Sequence, residues 1–332
     1  MEGAGVLIRR TVGTPALPNL DPFLMLDHIS SSVAAASKGF PTHPHRGQTT
    51  VSIMLRGGME HRDSMGNKGV VSDGGVQVMR AGNGVEHSEF PTASRVEGGN
   101  EDDDEPEIHG FQLWVNLPSK QKYQPPAYQD VQAEEIPTVA LPPSVGGGGG
   151  ASAATARVIA GRLLQQHQQQ EDSATNAASS PTFVQGPARI APPQVLLLDV
   201  TVPAGATARV PVDDSFAGFL YLYQSGQGAK LSGVSAPARH ALVLSKPETT
   251  AASTSTPSFS DVEAEAGADA ALKFLLVAGK PIGEPIVQHG PFVMNTRAEI
   301  EQAFREYSEG TFIKQGKDFD PFAVAAAGRD EL

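Results

Sequence analysis

The chain has no cysteine among its 332 residues, which excludes disulfide bonds and removes thiolate from any metal site it contains. Basic side chains are in deficit: 25 lysines and arginines against 37 acidic residues give a formal charge of −12. That balance opposes attraction to a phosphate backbone, and no local basic patch offsets it, so direct nucleic-acid binding is not expected. A role in gene regulation would act through protein partners. Long apolar runs are missing too. Nothing approaches the length of a membrane span, and the opening MEGAGVLIRRTVG has no extended apolar core of the signal-peptide kind. No membrane association is expected, and the expected location is the cytoplasm, the nucleus or both. The final Arg329-Asp330-Glu331-Leu332 resembles an endoplasmic-reticulum retention address, which does nothing without an entry signal.

What the chain does have is many short apolar runs broken by Gly, Pro, Asn and Asp, the pattern of numerous strands and few helices. The first is VLIRRTV at Val6–Val12, and TTVSIML, VQVMRA, GFQLWVNLP, VLLLDVTV, GFLYLYQSG and LKFLLVAG follow. The length allows two domains, each with a core, expected at 1–135 and 136–332, with Pro118–Pro143 as a loop-like bridge. Four tracts lack core-forming composition: the acidic run 97–107, the glycines 146–150 with the Ala/Ser run after them, the glutamine-rich 165–180 and the Ser/Thr/Ala-rich 249–258. One helix is predicted near the end. Thr296-Arg297-Ala298-Glu299 matches a capping box, with Ile300, Ala303, Phe304 and Tyr307 at helical spacing and Gly310 beyond.

Chemistry concentrates in two short stretches, FPTHPHRG and GNGVEHSEFP. They hold His43 and His45, then His87 and Glu89, each pair separated by one residue. In a strand, residues i and i+2 project from one face, so two neighbouring strands can aim three imidazoles and one carboxylate at one point. Pro44 suits an edge or a strand start and not a central ladder position, which places the first pair near a barrel mouth. The donor set fits a borderline first-row cation better than magnesium or calcium. Iron(II) is the expected ion, with manganese, nickel, copper and zinc open.

Other candidates have plainer readings. His28, beside the apolar run of DPFLMLDHI, is expected to be hydrogen-bonded packing. His61 and Asp63 also share a face but lack a partner pair, and are expected on a polar rim. Glu86 should point away from His87 and Glu89. Trp114 is expected in the core. The histidines of the second half, His167, His240 and His289, are unpaired, so a metal comparable to the first is not expected there.

The stretches DPFLMLDHI, GFPTHPHRG, GGMEHRDSMGNKGV, the glycine turn leading to VEHSE, FQLWVNLP, PPAYQD, RVIAG and GEPIVQHGPFVMNTRAEIEQAF resemble the pirin family, a branch of the cupin superfamily. The resemblance implies an all-β fold of two cupin-type β-barrels, a bicupin, with a short C-terminal helix. It implies that His43, His45, His87 and Glu89 are iron ligands. Thr49 stands where a cupin Glu often follows the HxH pair; pirins use the later carboxylate instead. The family is associated with quercetin 2,3-dioxygenase activity, the oxidative ring cleavage of a flavonol by dioxygen, and with iron-dependent, redox-sensing transcriptional co-regulation through protein partners. On the first reading the 3-hydroxyl and its neighbouring oxygen chelate the metal, Glu89 acts as catalytic base, and an apolar pocket including Phe40 and Met54 holds the rings. A bicupin that binds metal without catalysis is the third alternative.

Overall fold

The computed structural model describes residues 6–92, 107–144, 153–165, 181–190, 194–244 and 258–314. Nearly all of the acidic run, the glycine stretch and the Gln- and Ser-rich tracts, with His167, lie outside the described residues. The chain divides into two compact units, one made of residues up to Glu135 together with those from Pro281 onward, the other of Ile136–Lys280. Each is a cupin-type barrel.

The first unit contains β1 (Ile8–Val12), β2 (Phe23–Ser32), a short helix α1 (Val33–Ala36), β3 (Phe40–His45), β4 (Gln48–Arg56), β5 (Gly58–Asp63), β6 (Lys68–Val71), β7 (Val76–Arg80), β8 (Val85–Thr92), β9 (Glu107–Asn116) and β10 (Ala127–Val131). They form a six-stranded sheet, β1-β2-β9-β4-β7-β10, and a four-stranded sheet, β3-β8-β5-β6. Phe23, Leu24, Leu26, Val51, Ile53, Leu113 and Val115 are fully buried on the strands of the larger sheet, the near-continuous apolar reading that a strand covered on both faces requires. The Pro118–Pro143 stretch is not simply a bridge. Its Ala127–Val131 pairs with β7 and closes one edge of the sheet.

The second unit repeats the plan. Its strands are β11 (Thr138–Ala140), β12 (Thr155–Ala160), β13 (Arg162–Gln165), β14 (Thr182–Gln185), β15 (Val195–Val202), β16 (Thr207–Asp213), β17 (Ala217–Gln224), β18 (Lys230–Leu231), β19 (Val234–Ser235), β20 (Ala241–Leu244), β21 (Phe259–Glu265) and β22 (Leu272–Gly279). A six-stranded sheet, β11-β12-β15-β22-β17-β20, faces a four-stranded one, β16-β21-β18-β19. Leu196, Leu198, Val210, Leu222, Phe274 and Leu276 lie in one core cluster between them.

The sequence pattern puts residues 136–332 in the second domain, whereas the segment from Pro281 packs with the first unit. It forms a hairpin of β23 (Val287–His289) and β24 (Phe292–Met294), then the helix α2 (Arg297–Ser308). Phe292, Met294, Ile300, Ala303 and Phe312 make a small core of their own. The Thr296–Glu299 capping box is fully formed. The physical cause of the return is at its contact with β3 and β4. Arg46 pairs with Glu306 at 2.6 Å and lies over the Phe312 ring at 4.4 Å, and Val293 N donates to Arg46 O at 2.9 Å. Gly47 has φ +86°, and a Cβ there would overlap the Val293 carbonyl, so only glycine lets the two backbones approach this closely.

Glu306 makes a pH prediction. Burial works against its charge, but hydrogen bonds from Gln302, Arg46 and Lys314 and the Arg46 charge prevail and push its carboxyl down from 4.5 to about 2. A depressed carboxyl contributes stability above its unfolded value and loses it as pH falls through the folded one. The first unit is therefore expected to lose about 1–2 kcal/mol between pH 4.5 and 2 through this group, discounted for its partial exposure. Urea unfolding of Glu306→Gln should show that loss already at pH 7 and a flatter acid limb.

Candidate metal centre

β3 is an edge strand of the smaller sheet, which is where its two prolines are tolerated. It pairs with β8 so that His43 lies opposite His87, and an irregularity between Phe40 and His43 sets Phe40 opposite Glu89. Period-2 projection then turns His43, His45 and His87 to one side. Their ring centroids are 4.4 to 5.0 Å apart. One donor nitrogen from each lies within 4.8 Å of the others, and among the described residues this is the cluster of His, Asp and Glu side chains that can hold a metal ion. Glu89 stands beside it, its Oε2 4.0 Å from His87 Nε2.

The hydrogen bonding fits a cation. His43 Nδ1 lies 2.8 Å from the Pro41 carbonyl, which favours the proton on Nδ1 and leaves the Nε2 lone pair available. His45 is tied to the Pro291 carbonyl on the C-terminal hairpin, and the Gln48 carboxamide sits 2.9 Å from its Nδ1. His87 is 1% exposed, yet neither ring nitrogen has a hydrogen-bond partner. A buried imidazole left with two unsatisfied nitrogens costs free energy, and a metal bond removes that cost. Burial, and then the neighbouring histidines, hold the pKa of His87 well below the usual imidazole range. His45 is depressed likewise, first by burial and then by His43, against the Pro291 carbonyl. Both are neutral at neutral pH, the form that ligates.

Glu89 is 3% exposed, and burial raises its pKa against the opposing effects of His43, Ser52 and Gln112. Gln112 Nε2 donates to its Oε2 at 3.4 Å. Ser52 Oγ lies 3.3 Å from its Oε1 and 2.9 Å from Gln112 Oε1. The three side chains form one cluster, supplied by β4, β8 and β9.

His43, His45 and Glu89 line a cavity of about 730 Å³ whose walls also include Phe40, Met54, Met59, Phe111 and Trp114, a size that takes a drug-sized ligand. Trp114 is not a plain core residue: it is half-buried and meets His45 edge-on with centroids 5.0 Å apart. Gln288, Gly290 and Pro291 of the returning hairpin also line the cavity.

The other sequence candidates sort as follows. His28 is packing, 2.8 Å from His109 through their Nε2 atoms and 4.8 Å from the Phe111 ring. Glu86 is absent from the cavity lining and hydrogen-bonds Tyr307. His61 contradicts the rim expectation. It is 2% exposed, stacked on Tyr128 at 4.8 Å, hydrogen-bonded to Gln77 and 3.7 Å from Asp130; Asp63 caps its own turn through Met65 N and Asn67 N. His240 and His289 are exposed and join no ligand cluster among the described residues.

Comparison with known proteins gives a consistent answer. The pirin family model matches residues 5–115 and the pirin C-terminal cupin domain matches residues 197–313. A pirin-like protein of Solanum lycopersicum is 36% identical over 313 residues, 93% of this chain and 88% of the relative. Human pirin is 34% identical over 309 residues, 92% of this chain and 88% of its own length. Among solved structures, a quercetin 2,3-dioxygenase from Acinetobacter baumannii superposes with a TM-score of 0.72 at 27% identity, covering 94% of this chain and 93% of the other.

Proposed function

This chain belongs to the pirin family, and from that premise we propose that it is a metal-dependent dioxygenase of flavonol-type substrates, with iron(II) held by His43, His45 and His87 and joined by Glu89. The observation that carries the reading is the convergence of three imidazoles, two of them buried and neutral, at the wall of an apolar cavity large enough for a three-ring aromatic. The dioxygenase relative in the structural comparison supports it.

Bound by the triad, a first-row divalent cation supplies Lewis acidity toward substrate oxygens and access to dioxygen chemistry. The chain's own residues do the rest. Phe40, Met54, Phe111 and Trp114 bury the rings and exclude water, which strengthens every polar contact inside. Glu89 receives the proton of the substrate 3-hydroxyl on a carboxylate oxygen, and its raised pKa makes it a stronger base than an exposed carboxylate. Ser52 and Gln112 fix the direction in which that carboxylate points.

The test is anaerobic loading with iron(II), addition of quercetin and then air, with loss of the flavonol and release of carbon monoxide as readouts. The wild-type protein should turn over. A His43→Ala, His87→Ala double variant should run at the uncatalysed rate, and equal rates in the two proteins would remove the dioxygenase reading.

A further inference from the structure

The larger sheet of the first unit carries a polar row across its interior face. Arg10 is in register with Asp27, Asp27 with Gln112, and Gln112 with Ser52, from β1 through β2 and β9 to β4. All four line the cavity of the histidine triad. At the inner end, Gln112 and Ser52 contact Glu89. At the outer end, Arg10 Nε and Nη2 donate to the two oxygens of Asp27 at 2.8 and 2.7 Å. Asp27 is 5% exposed. A charged, bidentate pair on a cavity wall is costly to bury, and its position is set by the strand spacing. Two strand steps separate Gln112 from Arg10, roughly 10 Å, with apolar Met25, Ile29 and Phe111 also on the walls.

We propose that Arg10 and Asp27 form a second polar subsite of this cavity, selecting aromatic substrates that carry a hydroxylated ring at the end remote from the metal. The inference rests on the flavonol reading of the site and deepens it. A flat molecule whose adjacent oxygens sit at the triad reaches the Arg10–Asp27 pair with one further ring and its hydroxyl. That hydroxyl donates to the Asp27 carboxylate and accepts from the Arg10 guanidinium, both charge-assisted contacts. A ring without hydroxyls covers the pair without replacing the hydrogen bonds that water makes to it, so the site discriminates against it.

Binding is measured by calorimetry on anaerobic, iron(II)-loaded protein, where no dioxygen is present to consume the ligand. Quercetin, with hydroxyls on both outer rings, should bind about tenfold more tightly than 3-hydroxyflavone, which has none beyond the 3-position. An Arg10→Leu, Asp27→Leu variant should lose that ratio, through weaker quercetin binding together with tighter binding of 3-hydroxyflavone, which no longer desolvates a charged pair. If the double variant does not fold, the single Arg10→Gln variant at the part-exposed end of the row reads the same ratio. A ratio unchanged in the variant, or equal binding of both ligands to wild type, overturns the subsite and leaves the flavonol reading standing. Wild-type protein that binds neither ligand overturns both.

Discussion

Replacing Glu89 with glutamine is expected to leave metal bound and to cut flavonol turnover by roughly 10²- to 10⁴-fold, the range a positioned general base supplies. The separation of effects follows from the geometry. The three imidazoles hold their mutual positions without Glu89: His43 through the Pro41 carbonyl, His45 through Pro291, and all three through the β3–β8 pairing. A carboxamide keeps the shape of the carboxylate and retains an oxygen to accept from Gln112, so packing survives while proton acceptance is lost. Metal content by elemental analysis and turnover by carbon monoxide release are the two measurements. Trp114, the single tryptophan of the chain and 5.0 Å from His45, adds a fluorescence report of metal arrival. Loss of metal in step with turnover would show Glu89 to be needed as a ligand and would remove the base assignment.

Lys122→Met is expected to destabilise the first unit by roughly 2–4 kcal/mol, the sum of several buried acceptors left unsatisfied less the relief of desolvating an ammonium. Lys122 is 0% exposed. Its Nζ donates to Gly47 O at 2.8 Å, Asn116 Oδ1 at 2.6 Å and Val293 O at 3.0 Å. Burial pulls its pKa down to about 8 against the carboxylates of Glu284 and Glu299, so it is charged at pH 7 and all three N–H groups are used. Methionine matches the length but donates nothing. Urea unfolding followed through Trp114 reads this unit specifically, because the second unit has no tryptophan. A loss below about 1 kcal/mol would mean that the ammonium's desolvation cancels its three bonds.

How much of this was legible beforehand depended on whether a signal is local. The spacing of His43 with His45 and of His87 with Glu89 is visible because strand periodicity acts over two residues. The capping box at Thr296 is visible for the same reason. The hydrogen-bond neighbours of Glu89 are not, since Ser52 and Gln112 meet only because β4 and β9 are adjacent in the sheet, and nothing in either stretch announces that pairing. His61 reads as a rim residue in the sequence because it lacks a partner pair. Its partners Gln77, Tyr128 and Asp130 come from β7 and β10, the last of these strands hidden in a proline-rich stretch that reads as loop. Trp114 reads as core because an aromatic in an apolar strand has no mark that distinguishes a cavity wall from an interior. The return of residues 281–314 to the first unit was illegible because chain order carries no information about which core a late segment joins.

That return bears on the order in which the protein is made. Pro291, which steadies His45, and Val293, which receives Lys122, leave the ribosome only after the whole of the second barrel has been synthesised. The nascent first barrel therefore waits, with one wall of its cavity missing, until translation is almost finished. Early domain-by-domain folding cannot complete the centre, and a chain cut short before Pro291 would carry every histidine of the triad yet lack the carbonyl that steadies one of them.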